Sequence, residues 1–149
     1  MYAELKERLG LDYSLAIVSE PCKYDPDNGE PIPITGGSVG KILPLVVAKG
    51  RLAHSCYILA GLNSALIVSE IMRNVELSTA FLSSDLGVSN QPPATQIMRD
   101  LKTHYDVSTP EYSVAGFNMT FFMSTKPMNL VAKLKDVSAK ALQTVVTRY

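Results

Sequence analysis

Tryptophan is absent from the 149 residues, cysteine and histidine occur twice each, and the formal charges cancel to zero. Each scarcity removes a class of function. A zinc site needs three or four convergent ligands, whereas the nearest pair, His54 and Cys56, is separated by one residue and diverges on a helix. No metal or other cofactor is therefore expected. Cys22 and Cys56 belong to no paired framework, so a reducing interior is the expectation and the core needs no disulfide. A neutral chain with no recognition motif is a poor nucleic-acid binder, and no specific nucleic acid is expected. No basic start leads into an apolar run, so the expected location is cytoplasmic or virion, not secreted. On that expectation Asn118-Met119-Thr120, which matches a glycosylation acceptor, is coincidence.

The longest stretch without a formal charge, 52–69, has roughly 18 residues, near the lower limit for a membrane-crossing helix. His54, Ser55, Asn63, Ser64 and Ser69 punctuate it and would each be costly against lipid. No membrane span is expected. The stretch reads instead as a central helix buried on most faces, since Ile58, Leu59, Leu62, Leu66, Ile67 and Ile71 exceed a single stripe. Gly61, Ala65 and Ser69 recur every fourth residue, a spacing that would put small side chains on one close-packing side. A membrane-associated protein using this stretch is a third functional reading, behind the two given below.

What is present is mainly architecture. The chain is 46% hydrophobic and 19% charged, which supports a packed core and excludes disorder. Residues 2–9 have the look of a short helix stopped by Gly10, and 13–18 suits a strand. Asp25-Pro26-Asp27-Asn28-Gly29 carries turn chemistry, which makes a β-hairpin with 30–34 as its second arm. Pro31 and Pro33 remove donors from one side of that arm, a pattern of sheet edges or of arms laid on a neighbour. The segment 42–48 fits either a strand or a helix start, and Pro44 does not decide between them. Pro92 and Pro93 read as opening a helix that presents Ile97, Met98, Leu101 and Tyr105 and ends near Asp106. Val88 to Gln91 reads as loop. Phe117, Met119, Phe121 and Met123 alternate as in a strand. From Pro127 onward, Leu130, Leu134, Val137, Ala141 and Val145 define an amphipathic helix.

Two sets of residues approach known catalytic or phosphate-binding patterns without completing them. Gly36-Gly37-Ser38-Val39-Gly40-Lys41 resembles a phosphate loop only in outline, because Thr35 and Ile42 replace the glycine and the Ser/Thr that a P-loop needs. Its backbone and Lys41 keep the option of cradling an anion. Cys56, His104 and Asp106 are the right types for a nucleophile, base and orienter, yet nothing beyond residue type joins them.

The expected fold is α+β: a single domain over 1–149 with an N-terminal β-hairpin or projecting arm over about 13–37. A central buried helix, a small and mainly antiparallel sheet and an amphipathic C-terminal helix complete it. Without a complete catalytic motif, the expected function is a non-enzymatic structural or assembly subunit of a larger homo- or hetero-oligomeric complex. Virion, phage-tail and secretion assemblies are of this kind. The alternative is a small anion- or nucleotide-binding domain or enzyme using the loop from Gly36 to Lys41.

Charge supports the first reading. The first thirty residues carry seven acids against three bases, and the segment from Lys126 to Tyr149 carries five bases against one acid. Opposite ends favour head-to-tail self-association or contact with other protein subunits. The interface candidates are Pro31, Ile32, Pro33 and Ile34 on the arm, Glu4 and Glu7 at the acidic end, and Lys133, Lys140 and Arg148 at the basic end.

Overall fold

A computed structural model describes residues 2–10, 12, 14, 26–29 and 37–149. These fall into two units, Met1–Gly37 and Ser38–Tyr149. In the first unit, α1 spans Tyr2–Leu9. Gly10, at φ +64°, stops it, and its N–H donates to the Lys6 carbonyl at 3.0 Å. A left-handed residue after the last turn is the usual helix stop, so this part matches the sequence. A 3-10 turn at Pro26–Asn28 is followed by Gly29 at φ +68°. The arms of the expected hairpin, including Pro31, Ile32, Pro33 and Ile34, lie outside the described residues.

The second unit is α+β. Its strands are β1 (Gly40–Ile42), β2 (Leu45–Lys49), β3 (Ser84–Asp85), β4 (Val88–Ser89), β5 (Ala94–Asp100) and β6 (Tyr112–Phe121); its helices are α2 (Ser64–Val75) and α3 (Pro127–Val146). β6 is central and pairs antiparallel with β1, β2 and β5. Gly40 faces Phe121, Ile42 faces Met119, Leu45 faces Gly116 and Lys49 faces Tyr112. The register thus runs unbroken from β1 into β2, and the two are one edge strand. The gap between them is Leu43-Pro44, where proline has no N–H for the ladder. Its carbonyl still accepts from the Phe117 N–H at 3.1 Å.

One face of the sheet carries the helices. Ile42, Val46 and Ala48 point to the same side as Ala115, Phe117 and Met119, and there they meet Ile67, Val68, Ile71 and Val75 of α2 and Leu130, Leu134, Ala141 and Val145 of α3. The stripe expected for the last helix is the one that is buried, with Val137 packed partly against it. Hydroxyl groups join the layers where apolar contact stops. Ser64 Oγ, fully buried, donates to the Pro110 carbonyl at 2.9 Å and lies 2.8 Å from Ser113 Oγ. Most buried polar groups in folded proteins are paired in this way.

Three expectations are corrected. The uncharged stretch is not one long helix. α2 begins only at Ser64, where the Asn63 side chain accepts from the Ala65 N–H at 2.9 Å and caps it. Gly61 therefore precedes the helix and forms no face with Ala65 and Ser69. Second, the segment after Pro92 and Pro93 is strand β5, not a helix. Its apolar residues have helical spacing, but pairing with β6 overrides a weak local preference. Third, Val88 to Gln91 is not all loop, because β3 and β4 form a small hairpin across Leu86 and Gly87, both at positive φ. The late strand overlaps the expected one but begins five residues earlier, at Tyr112, and ends at Phe121, leaving Phe122 and the exposed Met123 outside it. Val114, Ala115 and Gly116 are buried on both faces and so show no alternation.

Candidate functional site

Between β2 and α2 the chain leaves the sheet in a loop, 51–62, that is pinned at both ends and exposes most of its side chains. Arg51 and Leu62 exchange N–H to carbonyl bonds, both at 2.8 Å. Ala53 and Thr109 are joined by a 2.9 Å backbone bond and by Thr109 Oγ1 accepting the Ala53 N–H at 3.2 Å. The Ser55 N–H donates to the Val107 carbonyl at 2.9 Å. Gly61 completes the lock. A Cβ there would stand 2.5 Å from both the Ala53 Cβ and the Arg51 carbonyl, so only glycine permits this approach.

Within the loop, 3-10 structure spans Ser55–Ala60 with His54 as its N-cap. His54 Nδ1 accepts the Cys56 N–H at 3.1 Å. In the neutral ring the proton then sits on Nε2, since the two nitrogens divide donor and acceptor roles. The loop's large side chains face solvent: Leu52 is 55% exposed, Tyr57 72% and Leu59 75%. Ile58 is exposed as well.

The turn beside it, 101–108, adds exposed Leu101, Tyr105 and Val107. Lys102 organises this turn. Its ammonium reaches Asp106 Oδ1 at 2.6 Å, the Asp106 carbonyl at 3.3 Å and the Ser108 carbonyl at 2.7 Å, so all three N–H donors have acceptors. Asp106 also accepts from the Ser108 N–H at 2.9 Å and from the Ser108 hydroxyl. The Lys102 bond first, and then those from Ser108, hold the Asp106 carboxyl far below the usual aspartate range. Leu52, Leu101, Tyr112 and this turn line a shallow cleft of about 220 Å³.

Chemically the arrangement is a hydrogen-bonded turn beside exposed apolar side chains. Asp106 takes its bonds from Lys102 and Ser108, while His104 Nδ1 lies 3.2 Å from Thr103 Oγ1. Of the residues considered for a Cys56, His104 and Asp106 relay, Asp106 and His104 thus have other partners, and Cys56 is a free, exposed thiol. Among the described residues no three His, Cys, Asp or Glu side chains gather as a metal site. No helix of the described residues is long and apolar enough to cross a membrane.

The charged candidates lie on both units. Glu4 pairs with Arg8 at 3.2 Å on α1, and Glu7 is exposed on the same helix. On α3, Lys133 donates to the Ala80 carbonyl at 2.7 Å, while Lys140 is exposed. Arg148 stands 3.7 Å from the buried carboxylate of Glu70. That carboxyl is held below its ordinary range by hydrogen bonds from Arg73, against the opposing effect of burial. Two of the three basic candidates therefore serve internal contacts. Of the anion loop, Gly36 lies outside the described residues. Gly40 and Lys41 belong to β1, where a Cβ on Gly40 would meet the Phe121 ring at 2.5 Å.

The residues missed from the sequence are Leu52, Tyr57, Leu59, Leu101, Tyr105 and Val107. The available signal was Asn63, whose capping chemistry separates 52–62 from the helix that follows.

The fold and this surface define an α+β protein with a preformed, partly apolar loop platform at one end of its sheet. No family model matches the chain. Over 83 residues it is 39% identical to a Bacillus subtilis (strain 168) protein described as uncharacterized protein YqjN, covering 56% of this chain and 15% of that relative. The matched segment is thus a small part of a much longer protein.

Proposed function

We propose that the chain is a non-enzymatic assembly subunit that docks on a protein partner, another copy or a different subunit, through the 52–60 loop and the 101–107 turn. One observation carries this reading: Leu52, Tyr57 and Leu59 are exposed on a backbone already fixed by hydrogen bonds. Clustered apolar exposure marks interaction sites, and aromatic side chains supply much of the binding energy there. A fixed loop loses little conformational entropy on docking, which raises affinity for a given contact area. The opposite charges of the chain ends add a salt-dependent contribution in which Lys140 is the most available of the three basic candidates.

Light scattering on the purified chain, at low and high salt, tests the proposal. The expected result is a species larger than one chain that Leu59→Asp together with Tyr57→Asp reduces to a monomer. High salt should weaken it partly. An assembly indifferent to both substitutions would overturn the proposed surface.

A further inference from the structure

The helices cover one face of the sheet, and strand alternation assigns a second set of residues to the other. Ile42, Val46 and Ala48 turn to the helices, so Leu43, Leu45 and Val47 turn away. Gly116 and Val114 of β6 lie beside them, and Ile97 of β5 completes the row. This second face is apolar and exposed: Leu43 and Leu45 are each 63% exposed, Val47 is 59% exposed, and Ile97 is exposed as well. The sequence of the edge strand does not suit a wetted face. Ile42-Leu43-Pro44-Leu45-Val46-Val47-Ala48 is apolar without a break. That is the pattern of a strand buried on both sides, whereas a strand wetted on one side alternates. Contiguous apolar exposure of this kind marks an interaction surface.

The shape of the face points to the form of its occupant. Its middle is low, because Gly116 has no side chain. Leu45 Cδ2 lies 2.7 Å and Ile97 Cβ 3.5 Å from the place a Cβ on Gly116 would take. Neighbouring strands are about 4.8 Å apart, so the side chains of β2 and β5 make two ridges about 10 Å apart across β6. A helix with its side chains has that width.

Charge narrows the choice further. Lys41 and Arg99 stand on this face at diagonal corners, opposite Thr120 and Val114 of β6. Both are exposed, and neither has an ion pair among the described residues. Lys49 shares the face but is engaged, by Glu111 at 3.7 Å and by the Tyr112 ring at 5.4 Å, and is not counted. Asp100, the one acid of these strands, belongs to the helix-bearing side through its pairing with Ser113. A second copy of the face would therefore bring further cations and no carboxylate to meet them. Along β6 the two corners are about 20 Å apart, a distance that a helix spans in about 13 residues.

We propose that the open face of the sheet binds an amphipathic helix of a protein partner, laid along β6. Its apolar stripe contacts Leu45, Val47 and Ile97, and carboxylates near its two ends meet Lys41 and Arg99. This inference goes beyond the loop platform and uses a different surface.

The probe is a fluorescein-labelled peptide, Ala-Glu-Gln-Ala-Leu-Ala-Gln-Leu-Leu-Gln-Ala-Leu-Ala-Gln-Glu-Leu, whose glutamates have that spacing and flank its leucine stripe. It is titrated into the full chain by anisotropy, with methyl NMR read on the complex. Saturable binding is expected, with shifts at Leu45, Val47 and Ile97 and none at Leu59 of the loop. The same peptide with lysine for glutamate should bind roughly tenfold more weakly, and Lys41→Glu together with Arg99→Glu should invert that preference. Leu45→Gln should also weaken binding roughly tenfold, with circular dichroism that of the unmodified chain. Failure of the glutamate peptide to bind, shifts confined to other residues, or a preference that the charge reversal leaves alone would overturn the proposal. So would the same shifts produced by phosphatidylglycerol vesicles in preference to the peptide, which would assign the face to a lipid surface. Shifts produced by concentrating the chain alone would overturn it too, by assigning the face to a second copy.

Discussion

Residues 52–60 and 64–69 share one charge-free stretch and meet opposite fates. In α2, Ile67, Val68 and Ile71 are buried against the sheet, whereas Leu52, Tyr57 and Leu59 stand in solvent. Composition does not separate the two halves; backbone partners do. The helix satisfies its own N–H and carbonyl groups and can turn one side to the core. The loop instead bonds to 107–109 and to Leu62, so its backbone holds it close to the body while its side chains face away.

Substitution should expose that contrast most strongly in the core. Ile71→Ala should cost about 3 kcal/mol in urea unfolding, combining lost burial with a cavity. An effect below about 1 kcal/mol would place that residue in a looser layer than the structure shows. Gly61→Ala should cost about 2 kcal/mol, since the new Cβ has to displace Ala53 and backbone. If the loop were not locked, this change would be nearly silent.

Asp106→Asn gives a smaller effect with a distinctive pH profile. A carboxyl whose folded pKa is depressed contributes stability that is complete above its unfolded value, about pH 4, and declines as pH falls from there. The variant should therefore be less stable than the unmodified chain at pH 7, with the gap narrowing as unfolding is repeated at progressively lower pH. A gap independent of pH would mean that the Lys102 and Ser108 contacts do not act through the charge. Smallest of all, Leu59→Ala should change stability by less than about 0.5 kcal/mol while reducing association. Comparable losses of stability at Leu59 and Ile71 would erase the distinction between the two halves.

Much of the fold was legible because its signals were local. Gly10 marked the end of α1, Pro127 the start of α3, and the stripe from Leu130 to Val145 the face that α3 buries. Strand β5 was not legible, since Ile97, Met98, Leu101 and Tyr105 keep helical spacing, yet pairing with β6 makes Ile97 and Met98 strand while Leu101 and Tyr105 fall in the turn that follows. The loop platform was hidden for a related reason. An apolar, uncharged run gives the same local signal whether it is buried or displayed, and the bonds from Ala53 to Thr109 and from Ser55 to Val107 span more than fifty residues. Among the charged candidates, nothing local marked Lys133 as held by Ala80 or Arg148 as lying beside Glu70.

Amide exchange in the monomeric chain tests the preformed surface most directly. Slow exchange is expected at Arg51, Ala53, Ser55, Leu62 and Thr109, with protection approaching that of the middle of α2, even though Tyr57 and Leu59 remain exposed. Exchange at those five amides as fast as in an unstructured peptide would contradict the account, because a loop without a fixed backbone offers no built platform for a partner.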